Sequence, residues 1–94
     1  MARVRWTDRA RRDLLSVAWL DGREGAEGRL ERLARIREEL LRAADAPLAG
    51  DIVEELGREE VREVFLEPYR LVYRIHGGGI DVVTVSDCIR PGAL

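Results

Sequence analysis

The stretch Val61-Arg62-Glu63-Val64-Phe65-Leu66-Glu67-Pro68-Tyr69-Arg70-Leu71-Val72-Tyr73-Arg74-Ile75 constrains the fold more than any other part of the chain. Two β-rich runs meet at Glu67-Pro68, and the second alternates residue by residue. Tyr69, Leu71, Tyr73 and Ile75 fall on one face of a strand, while Arg70, Val72, Arg74 and His76 fall on the other. The first face is apolar and aromatic; the second carries two guanidinium groups roughly 7 Å apart along the strand. A strand needs one apolar face to join a sheet, so the arginines require their own account. Either they keep a solvated face from pairing with other edges, or they do chemistry. For Arg70 both readings stand: a functional arginine, or one paired with an acidic neighbour such as Glu63 or Asp81.

At 94 residues the chain is a single domain over residues 1–94, able to bury roughly two-thirds of its unfolded surface and too small for a second core. No apolar run reaches the roughly 18 residues needed to cross a bilayer, and the arginine-studded N-terminus lacks a signal peptide's apolar segment. The single cysteine, Cys88, reads as a free thiol and fits a reducing cytoplasm. With His76 as the one histidine, neither a metal site nor a bound cofactor is expected. All sixteen basic residues are arginine, yet the net charge is -2. A protein that grips a phosphate backbone with its whole surface usually shows a basic excess. Such binding is disfavoured, while a local patch of arginine is not.

Arg3-Val4-Arg5-Trp6 alternates like a short strand, and Thr7 follows as an N-cap with Asp8 in the first turn. Ala10, Leu14, Val17 and Ala18 then form one apolar stripe of a helix. Asp21-Gly22-Arg23-Glu24-Gly25 breaks it. A second helix is predicted from about Ala26 to Ala44, with a stripe of Leu30, Leu33, Ile36, Leu40 and Ala44. The short link makes the two an antiparallel hairpin. Asp45 to Gly57 reads as a loop with one short turn. Strands are predicted at about Val61–Glu67, Tyr69–His76 and Ile80–Ser86, the last two joined through Gly77-Gly78-Gly79. The order β-α-α-β-β-β makes an α+β domain: an antiparallel sheet, with β1 added at an edge, packed against the N-terminal helix hairpin. Tyr69, Tyr73, Trp6, Trp19 and Leu20 read as core residues, and His76 as a surface one.

The chain resembles the RelE/ParE toxins of bacterial type II toxin–antitoxin modules, a family also described as plasmid stabilisation toxins. The resemblance spans nearly the whole sequence. It rests on Val4-Arg5-Trp6-Thr7-Asp8-Arg9-Ala10-Arg11-Arg12-Asp13-Leu14, on the helix hairpin, and on Pro47-Leu48-Ala49-Gly50 leading to Val53-Glu54-Glu55-Leu56. It rests most on Val61-Arg62-Glu63-Val64 followed by Pro68-Tyr69-Arg70-Leu71-Val72-Tyr73-Arg74. The family implies the same β-α-α-β-β-β order, growth inhibition as the activity, and a cognate antitoxin as partner. Contact with DNA is then expected only through the antitoxin. The antitoxin's amphipathic helix and extended segment are expected on the helix-hairpin surface and on the sheet face carrying Arg62, Arg70 and Arg74.

The family divides by target. RelE-like members cut mRNA inside the ribosome; ParE-like members poison DNA gyrase. If the chain is RelE-like, the resemblance assigns catalytic roles to Arg62, Arg70 and Arg90, since a guanidinium fork stays charged and can bind two phosphate oxygens. The sequence departs from that set. Val64 stands where a second basic residue is expected, and Asp87-Cys88-Ile89-Arg90-Pro91-Gly92-Ala93-Leu94 offers no aromatic or histidine for proton transfer. Three readings follow: a ParE-like gyrase inhibitor, which the acidic balance favours; a ribosome-dependent endonuclease; or a degenerate member that only binds its antitoxin.

Overall fold

In the computed structural model, which describes residues 2–20 and 25–87, the predicted architecture forms with one additional strand. The chain runs β1 (Arg3–Trp6), α1 (Asp8–Leu20), α2 (Gly25–Asp45), a 3-10 turn (Pro47–Ala49), β2 (Asp51–Ile52), β3 (Val61–Leu66), β4 (Tyr69–His76) and β5 (Gly79–Asp87). The sheet order is β1-β5-β4-β3-β2. β3, β4 and β5 form an antiparallel meander, and β1 joins the edge parallel to β5. The loop expected to break the helices at Asp21–Glu24 lies outside the described residues, as do the side chains of Ala18, Trp19 and Leu20.

Period-2 alternation in β4 and period-3.6 stripes in the helices meet in one core. Ala10 and Val17 of α1 and Ile36, Leu40, Ala43 and Ala44 of α2 pack on Tyr69, Leu71, Tyr73, Ile80, Val82 and Val85 of the sheet. Trp6 and Leu14 are half-buried at its margin. Leu30, expected in the α2 stripe, is instead 67% exposed; burial on this helix begins at Arg32 and Ile36. α1 starts as predicted: the Ala10 amide donates to the Thr7 hydroxyl oxygen at 3.1 Å. The same hydroxyl donates to the Val82 carbonyl at 2.8 Å, and the Val85 amide donates to the Asp13 carboxylate at 3.2 Å. β5 outruns β1, whose pairing ends at Trp6 and Val82. Thr7 closes the pairing with both its amide and its hydroxyl on the Val82 carbonyl, and the Asp13 side chain takes the Val85 amide, which lies beyond the end of β1.

At Gly79 the backbone of β5 lies hard against that of β1. A Cβ there would run into the Arg3 backbone, so glycine is required for the parallel pairing that starts at Arg3 and Gly79. The additional strand β2 pairs with Arg62 and Glu63 of β3 and lies in the segment expected to be loop.

Candidate functional site

The sheet face away from the helices is the face of Arg70, and the register of the meander decides what joins it. Val61 opposes Arg74, Glu63 opposes Val72 and Phe65 opposes Arg70. Residues directly opposite share a face, so Val61, Glu63, Phe65, Arg70, Val72 and Arg74 form the outer surface. Arg62 does not belong to it. It opposes Tyr73, on the helix side, which corrects the expected grouping of Arg62 with Arg70 and Arg74. The cause is the turn: with Leu66 opposite Tyr69, counting back places Arg62 against the aromatic face of β4.

Arg70 is paired with two carboxylates. Its Nε donates to Glu63 Oε2 at 2.6 Å, its Nη2 contacts the same oxygen, and Nη2 also reaches Glu55 Oε2 at 3.1 Å. The Arg70 and Glu63 side chains are only 17% and 13% exposed, while Glu55 is 60% exposed. Burial works against the Arg70 charge, but the hydrogen bonds and Coulomb attraction of Glu63 and Glu55 outweigh it and hold its pKa above the usual arginine value. The Arg70 bond is the main cause that lowers the Glu55 carboxyl below its ordinary range. Of the two neighbours expected for Arg70, Glu63 is the partner. Asp81 instead faces Arg5, at 3.7 Å.

Glu55 comes from the segment between β2 and β3, so the bridge to Arg70 fastens that loop over the sheet. A small second core lies beneath it: Val53, Val61 and Val72 are buried together, with Val83 against them. Val83 reaches this side through a bulge in β5, where Val72 opposes Thr84 while Tyr73 opposes Val82. Val72 is thus fully buried, and the arginine face of β4 is a second, smaller packed layer at its centre.

Arg62 holds the other end of the same loop. Its Nε donates to the Glu59 carbonyl at 2.8 Å and its Nη1 to the Gly50 carbonyl at 3.1 Å. From the same face the Tyr73 hydroxyl donates to the Pro47 carbonyl at 2.6 Å. Pro47-Leu48-Ala49-Gly50 is therefore tied down by Tyr73 and Arg62. Gly50 is needed because a Cβ would meet the Tyr73 hydroxyl. Burial raises the Tyr73 phenol above its ordinary pKa.

The remaining candidates separate. Arg74 is exposed and opposes Asp81 of β5. Arg90 and Cys88 lie outside the described residues. His76 is exposed at the β4–β5 turn. Among the described residues no cluster of three or more His, Cys, Asp or Glu side chains could hold a metal ion, and no helix is long and apolar enough to cross a membrane. A groove of about 500 Å³ runs between β1 and α2, flanked by Arg3 and Arg37 and lined on its apolar side by Val4, Trp6, Leu14, Leu33, Leu40 and Leu41. Sequence periodicity assigned most of these to the core, and they do border it. That they also form an open groove depends on β1 being the outer strand.

A helix pair over one face of a five-stranded sheet, with the opposite face stapled by ion pairs, defines a small α+β domain. The family model for the ParE toxin of the type II toxin–antitoxin system parDE matches residues 4–88, and the chain belongs to that family. In fold it is similar to a solved structure described as the chromosomal ParDE TA system from P. aeruginosa. The two are 22% identical with a TM-score of 0.65, over 93% of this chain and 96% of that one. Among curated proteins, none matches.

Proposed function

We propose that this member of the ParE toxin family inhibits DNA gyrase in the cytoplasm and is neutralised by a cognate antitoxin. The observation that carries the choice of target is the state of Arg70. An arginine that stabilises charge on a scissile phosphate must offer its guanidinium to that phosphate. Here the guanidinium is bound by Glu63 and Glu55, and a phosphate would have to displace two carboxylates while bringing its own negative charge beside them. Arg62 is likewise committed, to the Glu59 and Gly50 carbonyls. Val64, in place of a second basic residue, opposes Leu71 on the helix side. General acid–base help is typically worth 10²–10⁴ in rate, and among the described residues the one histidine, His76, stands at the opposite end of β4 from Arg70.

The groove between β1 and α2 supports the antitoxin part of the reading. Its leucines, Val4 and Trp6, with Arg3 and Arg37 beside them, suit an amphipathic helix that carries acidic residues along its apolar side, and β1 presents the open edge to which an extended segment can add. The arginine face contributes less than the sequence suggested, since Arg70 is already neutralised and Arg62 points the other way. Arg74 remains available there.

The test is induction in a bacterial host with DNA and protein synthesis followed separately, and purified toxin incubated with gyrase and plasmid. Filamentation and a DNA-damage response ahead of any fall in translation, with gyrase trapped on cleaved plasmid, are expected. Early arrest of protein synthesis with mRNA cut at ribosomal A-site codons overturns the choice of target. Co-expression with the adjacent gene's product should yield a complex; failure to co-purify removes the antitoxin part.

A further inference from the structure

The parallel pairing of β1 with β5 gathers positive charge at one corner of the outer face. Arg3 opposes Gly79 and Arg5 opposes Asp81; across β5, His76 opposes Gly79 and Arg74 opposes Asp81. The register thus sets Arg3, Arg5, Arg74 and His76 around Asp81, in a protein of net charge -2. Arg3, Arg5, His76 and the Gly77-Gly78-Gly79 turn line a cavity of about 90 Å³ whose remaining wall is Ile80. Among the described residues no acidic side chain lines it. Asp81 approaches Arg5 only at 3.7 Å, and the Arg5 side chain stays 63% exposed.

We propose that this corner is a phosphate-binding site that takes a phosphodiester group of a nucleic-acid backbone. Size admits a single tetrahedral oxyanion, since the open space at the corner is well above the roughly 10–15 Å³ that one water requires on the same measure. Chemistry fits as well: guanidinium forks match phosphate oxygens two at a time. Gly77 and Gly78 are exposed, and nothing lies within 4 Å of where their Cβ atoms would be. A bulky ligand can therefore approach the turn's bare backbone closely. The corner stands at the free end of a hairpin, open enough for a rod-like backbone to pass with one phosphate seated. The site is local and so is compatible with the acidic balance that argues against a whole-surface grip. It gives the toxin its own contact with nucleic acid, beyond the contact expected through an antitoxin.

The test uses the full chain and a fluorescent 20-base-pair DNA duplex, with anisotropy read from 25 to 200 mM KCl. Neither gyrase nor antitoxin is present, so this result and the choice of target stand or fall separately. Binding should weaken with salt at about 0.9 in log–log slope per phosphate contacted. Arg3→Ser with Arg5→Ser should lower affinity at least tenfold and reduce the slope by about 1 in total, the share of the one phosphate they seat. Arg12→Ser with Arg35→Ser, on exposed helix positions, should change neither. Both pairs should keep the wild-type thermal midpoint, because the altered side chains are exposed. Inorganic phosphate should shift the amide NMR signals of Gly77, Gly78 and Gly79. Equal affinity of the two double variants, or glycine signals indifferent to phosphate, overturns the site. Tighter binding of poly-glutamate than of DNA at matched charge reassigns the corner to an acidic protein segment and also overturns it.

Discussion

Replacing Arg70 separates a structural arginine from a catalytic one, and the ion-pair geometry sets the size of the effect. Arg70→Ala removes the partner of Glu63, a carboxylate only 13% exposed, and frees the arm that Glu55 holds. Exposed pairs are worth about 0–1 kcal/mol, whereas removing one partner of a fully buried pair costs about 3–5 kcal/mol. Arg70 and Glu63 lie between these limits, with bonding from both Nε and Nη2, so a loss of about 2 kcal/mol is expected. For a domain of this length each kcal/mol moves the midpoint by roughly 4–8 °C, giving a fall of roughly 8–16 °C. Arg70→Leu combined with Glu63→Leu should recover much of that, since an apolar pair leaves no stranded charge. Thermal and urea unfolding followed by circular dichroism measure both. A midpoint within 2 °C of wild type for Arg70→Ala, together with abolished growth inhibition, would falsify the structural assignment and return Arg70 to the target-binding surface.

Other consequences follow from the same contacts. Tyr73→Phe deletes the bond to the Pro47 carbonyl and should cost about 1 kcal/mol in urea unfolding. Because burial raises the Tyr73 pKa, the wild type should also lose stability as pH climbs above 10, where the unfolded tyrosine ionises first; Tyr73→Phe should lose less. Gly79→Ala drives a Cβ into the Arg3 backbone and should cost about 1–3 kcal/mol, while Gly78→Ala, with open space around it, should leave the midpoint nearly unchanged. Arg70 lowers the Glu55 pKa below its ordinary value, so its hold on Arg70 is complete through the ordinary carboxylate range and is lost only as pH falls through that lowered value. Hydrogen exchange in residues 53–60 should therefore speed up in acid for the wild type relative to neighbouring segments, and a Glu55→Gln variant should lack that acid step.

The meander and the helix pair were legible because their periodicities are long. Eight residues of β4 alternate without interruption, and the stripes of α1 and α2 each extend over several turns. β2 has two residues, too few for any period to register, so it was read as loop. Leu30 shows the opposite failure: its spacing fits the α2 stripe, but spacing cannot say how far along a helix the sheet extends. The partner of Arg70 was within reach of the sequence, as the carboxylate of Glu63 lies diagonally across the β3–β4 pair. Glu55 was not, since its position depends on how an irregular loop closes.

Arg62 and Arg3 mark where local pattern stops being informative. For Arg62 the missing step was arithmetic on the register. Once Glu67-Pro68 is taken as the turn, Leu66 must face Tyr69 and Arg62 must face Tyr73, on the aromatic side. A one-residue difference in register exchanges the two faces of a strand, so the position of the turn carries as much functional meaning as the arginine itself. For Arg3 and Arg5 no such count exists. Their alternation identifies a strand, but their neighbours across Gly79 come from a residue separation of about the whole domain, and parallel pairing leaves no hairpin signature. The charge that a net value of -2 hides is therefore assembled by topology: the N-terminal strand brings two arginines to a turn whose glycines leave the backbone bare. The acidic balance describes the protein's average surface, while its contact with a polyanion is decided at a corner where that average does not hold.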